Sequence, residues 1–179
     1  MRLSVFIATS LDGFIARPDG ALDWLPTPDP NGPEDFGYKS FMEDIDTLIM
    51  GRATFDTVLR FGVWPYQGKR VVVLSSRPLS VPDTFTGIFD GMTGAPEDVV
   101  KSLADRGARH AYVDGGRTIQ QFLAAGLIDR LIITRIPVLI GAGLPLFGPV
   151  PADIPLVHTR TTAYENGFVQ SEYSLFRAG

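Results

Sequence analysis

Apolar runs that break, each time, into glycine or serine and then arginine constrain this chain more than any other feature. Leu48-Ile49-Met50 leads into Gly51-Arg52-Ala53-Thr54, Val71-Val72-Val73-Leu74 into Ser75-Ser76-Arg77, and Ala111-Tyr112-Val113 into Asp114-Gly115-Gly116-Arg117. Short apolar runs rich in β-branched residues read as strands buried on both faces. A glycine followed by a helix start turns backbone N–H groups and the positive end of a helix dipole toward one place. The arginine beside each turn adds a guanidinium. A phosphate suits one such junction, and three in one small domain imply a nucleotide lying across the ends of a sheet.

The remaining pattern alternates strand and helix. Leu3–Ala8 predicts a first buried strand, and a turn at Ser10-Leu11-Asp12-Gly13 restarts an extended segment through Ala16. Residues 17–37, rich in Pro, Gly and Asp, read as a long functional loop. Helices are expected over about 34–44 (Phe36, Phe41 and Ile45 inward), about 52–59, from Ala95-Pro96-Glu97-Asp98 onward, and from about Arg117 to a stop at Gly126. Strands are expected at 47–50, 70–74, 84–89, 111–113 and 131–139. The tail pairs 156–163 with 168–176 through Asn166-Gly167, a dipeptide that suits a type I′ turn. The chain, 1–179, is therefore expected to be a single α/β domain. Its sheet is mostly parallel, with helices on both faces and an antiparallel C-terminal hairpin.

Composition excludes several function classes. A net charge of −4 without any Lys/Arg run argues against nucleic acid or an anionic membrane as partner. With no cysteine there is no disulfide, thiolate nucleophile or Cys-ligated zinc, which fits the cytoplasm. His110 and His158 are too few for a metal site built on imidazoles, so no metal is expected. The most apolar stretch, 131–150, is interrupted by Arg135, Pro137, Gly141, Gly143 and Pro145, a poor membrane span. Gly141-Ala142-Gly143 begins like a dinucleotide fingerprint but lacks the third glycine, and Pro145 blocks the helix that should follow. No Walker A sequence occurs.

Another scaffold must therefore carry the three junctions. Gly51-Arg52-Ala53-Thr54-Phe55, Leu74-Ser75-Ser76-Arg77 and Gly115-Gly116-Arg117 with Phe122-Leu123 resemble the dihydrofolate reductase superfamily in order and spacing. Thr9-Ser10-Leu11-Asp12-Gly13-Phe14-Ile15-Ala16, Gly126-Leu127-Ile128-Asp129-Arg130-Leu131 and residues 137–147 resemble its riboflavin-biosynthesis reductase branch, the RibD C-terminal-like domains. The resemblance implies an NADPH-dependent reductase acting on a small heterocyclic substrate, and a homodimer. It implies that backbone groups of Ala8 and Ile15 meet the nicotinamide carboxamide. Gly51, Arg52, Ala53 and Thr54 then hold the pyrophosphate, with Gly115, Gly116, Arg117 and Thr118 lining a second helix start beside it. Leu74, Ser75, Ser76 and Arg77 take the adenosine end and its 2′-phosphate. Two hydroxyls and an arginine suit a phosphate dianion, whereas an acidic residue would suit a free ribose diol.

For the proton donor two regions stay open. Asp12 lies in a string that the riboflavin branch shares, and Glu34 or Asp35 lies near the first-helix acid of folate-reducing members. Each also has a plainer role, closing a turn with Gly13 or starting a helix. Asp114 departs from folate reductases, which often have an additional glycine there. Trp24 and Phe36 are candidates to line the substrate pocket. Two rival functions remain: a nucleotide-binding or assembly module without turnover, its apolar 131–147 segment serving an interface, and a true dihydrofolate reductase.

Overall fold

The computed structural model describes residues 1–26, 35–83, 85 and 87–175. Its elements are β1 (Arg2–Ser10), β2 (Phe14–Ala16), α1 (Tyr38–Glu43), β3 (Thr47–Gly51), α2 (Arg52–Leu59), β4 (Arg70–Leu74) and β5 (Ile88–Met92). Then follow α3 (Pro96–Asp105), β6 (His110–Asp114), α4 (Gly116–Ala124), β7 (Arg130–Ile136), β8 (Leu144–Pro145), β9 (Leu156–Ala163) and β10 (Val169–Leu175). Eight strands form one sheet in the order β5-β4-β3-β6-β1-β7-β10-β9, and β2 pairs with β8 in a small separate ladder. The first six strands of that order run parallel, whereas β10 is antiparallel to both β7 and β9. The expected mostly parallel α/β sheet with an antiparallel C-terminal hairpin is what the chain forms.

The continuous apolar runs follow from burial on both faces. Ile49, Val72, Ala111 and Val113 point into a layer with Val99 and Leu103 of α3 and Ile119 and Phe122 of α4. Their neighbours Leu48, Met50, Val71, Val73 and Tyr112 point the other way, into a layer with Phe41 of α1, Phe55 and Val58 of α2, and Trp64. Among the described residues no helix is long and apolar enough to cross a membrane.

Three boundaries and one turn differ from expectation. α1 begins at Tyr38, leaving Phe36 and Ile45 outside it. The β5 strand lies at 88–92 rather than 84–89. β7 stops at Ile136 because Pro137 has no N–H, and the Val138 N–H folds back to the Ile136 carbonyl at 2.8 Å. The hairpin turn is not type I′: among described residues from 164 to 168 only Gly167 has positive φ, at 83°. Instead the Gly167 N–H reaches the Tyr164 carbonyl at 2.9 Å and Asn166 Oδ1 accepts from the Phe168 N–H at 3.1 Å, a longer loop.

Candidate active site

The three junctions end neighbouring strands. β3 lies between β4 and β6, with Gly51 opposite Leu74 and Met50 opposite Asp114. From β3 the chain enters α2 on one face of the sheet, and from β6 it enters α4 on the other. Connections that diverge from adjacent parallel strands open a crevice at the strand C-termini, where open α/β sheets take their ligands.

The two helix starts lock into each other. A Cβ on Gly51 would lie 3.1 Å from Thr118 Oγ1, and one on Gly115 would overlap the Thr54 hydroxyl. Gly51 and Gly115 are the N-cap residues, so each cap nests against the first turn of the other helix. Gly115 also has φ at 91°, a conformation open to glycine. A Cβ on Gly116 would come within 2.7 Å of Ile15 Cδ1, which brings β2 against the same helix start. Neither α2 nor α4 has an acidic first-turn residue or a side-chain cap, whereas α3 carries Glu97 and Asp98 there. Two positive helix ends without a first-turn acid thus converge, and their first-turn N–H groups have no intrahelical acceptor. That arrangement favours an anion.

Arg52 joins this crevice to the next strand. Its Nε donates to Asp56 at 2.9 Å and its Nη1 to the Pro78 carbonyl at 3.0 Å, holding the guanidinium against the loop after β4. In that loop Ser75 Oγ accepts from the Arg77 N–H at 3.1 Å and donates to the Arg77 carbonyl at 3.0 Å, leaving Ser76 and Arg77 exposed. Ala53 and Arg117 are exposed on the first turns of their helices.

On the other side the sheet splays. β1 pairs with β6 through Arg2, Leu3 and Ser4, yet with β7 from Ser4 to Ser10. The outer half of β1, Ala8 included, therefore turns a backbone edge outside the ladder toward β6. The Tyr112 hydroxyl reaches into this splay and donates to the Phe6 carbonyl at 2.8 Å. Asp114 closes it, half-buried, its carboxylate accepting from the Gly115 N–H at 2.8 Å. Burial pushes the Asp114 carboxyl up to about 6. Tyr38, Tyr66 and Tyr112 are held above the usual phenol range by their own burial and then by the Asp114 charge. Tyr38 and Tyr66 also line a cleft of about 440 Å³ between α1 and residues 65–69, with Lys39, Met42 and Gln67. Asp114 thus adjoins the crevice, and its charge reaches the two phenols that line this cleft.

Residues 2–170 match the family model of the RibD C-terminal domain. The chain belongs to that family, within the dihydrofolate-reductase-like reductases. It is 36% identical over 144 residues to YwjB of Bacillus subtilis (strain 168), covering 80% of each protein. A crystal structure from Shewanella sp. PV-4, of a protein named for riboflavin biosynthesis, superposes with a TM-score of 0.90 at 41% identity. That match covers 99% of this chain and all of the other. A dihydrofolate reductase from Enterococcus faecalis, solved in complex with NADP(H), has the same fold: TM-score 0.65, 20% identity, 97% of this chain and 96% of its own.

Within this RibD C-terminal domain the two expected acids are occupied elsewhere. Asp12 is exposed, and its carboxylate accepts from the Gly141 N–H at 2.8 Å and the Ile140 N–H at 3.3 Å. The Ser10 hydroxyl and these N–H groups hold it below the usual carboxylate range. Asp35 accepts from the Lys39 N–H at 2.8 Å and the Gly37 N–H at 3.0 Å, and so caps α1; those bonds, Lys39 first, keep it ionised. A carboxylate held in its charged form is a poor proton donor. Glu34 lies outside the described residues. Phe36 packs its ring on Tyr164 at 4.9 Å and Phe168 at 5.2 Å, and its carbonyl accepts from Gln170 Nε2 at 3.0 Å. It anchors the hairpin and does not line the cleft. Trp24 does not line it either; its Nε1 is buried and has no hydrogen-bond partner among the described residues. The residues that sequence reasoning missed are Tyr38, at the start of α1, and Tyr66, in the segment between α2 and β4, where no pattern flags them. Asp114 was visible at a strand end before two glycines, but its burial was not.

Proposed function

We propose that the chain is an NADPH-dependent reductase that delivers hydride to a C=N or C=O carbon of a small heterocycle, with Asp114 rather than Asp12 or Asp35 holding the proton. The convergence of two helix starts without a first-turn acid at one crevice carries the proposal: it is a cradle for a pyrophosphate, tight at Gly51 and open only to glycine at Gly115. Gly51, Arg52, Ala53 and Thr54 would hold it from α2, and Gly115, Gly116, Arg117 and Thr118 from α4. The loop after β4, with Ser75, Ser76 and Arg77 beyond Leu74, offers hydroxyls and a cation for a 2′-phosphate. Ala8 and Ile15 border the splay in which a nicotinamide carboxamide would find backbone partners. Bound NADPH would supply the hydride. The chain's own part is orientation, exclusion of water and the proton at Asp114, whose carboxyl exchanges it near neutral pH. Membership in a reductase family supports the same class of chemistry. A folate-specific reading leaned on Asp35, and the capping role of that carboxylate removes its footing.

Titration with NADPH and NADH, followed by nicotinamide fluorescence, tests the proposal. Wild type is expected to prefer NADPH, and Arg77→Ala to lose that preference by about tenfold while binding NADH as before. Equal, negligible binding of both nucleotides would remove the assignment.

A further inference from the structure

The β2–β8 ladder stands apart from the main sheet and joins only two residue pairs, Phe14 with Pro145 and Ala16 with Leu144. A ribbon of that length does not hold itself in place. Yet it carries Ile15 against Gly116, at the start of α4, so its position must come from what it leans on. Much of the apolar 131–147 segment, which the sequence offers as an interface, is internal: β7 is largely buried, and Leu146, just after β8, lies in the core. Apolar burial presses β8 down but does not fix where along α4 it rests, because that attraction has no direction. A hydrogen bond has one.

Gln120 supplies it. Gly116 and Gln120 lie four residues apart on one face of α4, and the Pro145 carbonyl sits over both. A Cβ on Gly116 would come within 3.3 Å of that carbonyl oxygen, whereas Gln120 Nε2 donates to it at 2.9 Å and to the Leu146 carbonyl at 3.3 Å. A Cβ on Gly148 would lie 2.8 Å from Gln120 Oε1, so glycine there leaves room for the amide. The restraint then passes from β8 to β2. The Leu146 N–H donates to the Gly13 carbonyl at 3.0 Å, and Gly143 approaches so closely that a Cβ on it would overlap the Ala16 carbonyl. One side chain on α4 thus sets how far Ile15 stands from the first turn of that helix. We infer that Gln120 is a positioning residue: it fixes the ladder that faces the nicotinamide against the pyrophosphate cradle, so that both parts of one coenzyme meet their partners without further ordering of the chain. The role rests on the cofactor site proposed above, of which Ile15 and the start of α4 are two parts.

Calorimetric titration of the full chain with NADPH and with 2′-phospho-ADP-ribose, which is NADPH without its nicotinamide, tests this, together with amide hydrogen exchange. Wild type is expected to bind NADPH more tightly than the truncated nucleotide. Gln120→Leu should narrow that gap by about tenfold, and so should Gln120→Glu, which keeps the shape but has no N–H to donate. Affinity for 2′-phospho-ADP-ribose should stay within about twofold of wild type, a split that general loosening of the fold would not produce. Exchange of the Leu146 amide should quicken in both variants. Gln121→Leu, on the exposed side of the same helix, should match wild type throughout. A wild type that binds neither nucleotide removes the cofactor site and this role with it. Equal wild-type affinity for the two nucleotides, an equal loss on both in the variants, or a gap retained in either Gln120 variant leaves the cofactor site standing and overturns the role of Gln120.

Discussion

Asp12 and Asp114 both stand at a strand end, each followed by glycine, and their surroundings drive them in opposite directions. Asp12 sits in water and is kept ionised by the Ser10 hydroxyl and the 140–141 backbone. Asp114 is raised to about 6 from its ordinary value of 3.8 because burial penalises the charged form. The native state therefore binds a proton before the unfolded chain does, so this group adds stability as the pH falls from about 6 toward 4. Asp114→Asn should be more stable than wild type at pH 8 by about 1–2 kcal/mol, discounted for partial exposure, with the gap closing toward pH 4. Urea melts at several pH values measure this, and the same variant should lose turnover. Asp12→Asn should leave the pH profile of turnover in place but speed amide exchange at Ile140 and Gly141, whose N–H groups lose a charged acceptor. One dipeptide serves both sites, so composition could not separate the proton-holding acid from the one that pins a loop.

Among the elements, α1 shows how a helix too short to stand alone is held. Phe41 is buried under it, Asp35 caps its start, and Lys69 Nζ donates to the Met42 and Ile45 carbonyls at 2.8 and 2.6 Å at its end. Lys69→Met should cost about 1–2 kcal/mol, since it strips hydrogen bonds and a cation from the helix C-terminus. Thermal melts report the loss, and hydrogen exchange should locate it in 38–45. At the other helix starts Gly115→Ala combines a positive φ with overlap on Thr54, and should cost about 2–4 kcal/mol. Adding Thr54→Ala should recover the steric part only, which a double-mutant cycle reads directly. α2 and α4 were legible because glycine, arginine and a periodic apolar face mark them. The start of α1 was not, since its cap and its C-terminal cation come from residues that carry no local periodicity.

For the whole molecule, the proposed binding of NADPH in the crevice would couple the cofactor to folding. At a hundredfold excess over Kd the wild type should gain about 2.7 kcal/mol, and NADH should give less at equal concentration. Thermal shift measurements with both nucleotides check the expectation. By itself the sequence determined the parallel sheet and the three strand-end junctions, because burial on both faces demands unbroken apolar runs and a turn into a helix demands glycine. Tertiary structure alone decided that β3 and β6 are neighbours and that their helices diverge to opposite faces, which is what makes two separate turns into one anion crevice. It also decided which carboxylate is pushed toward its protonated form, for burial at the end of β6 raises Asp114 whereas Asp12, exposed and bonded to the 140–141 backbone, stays ionised.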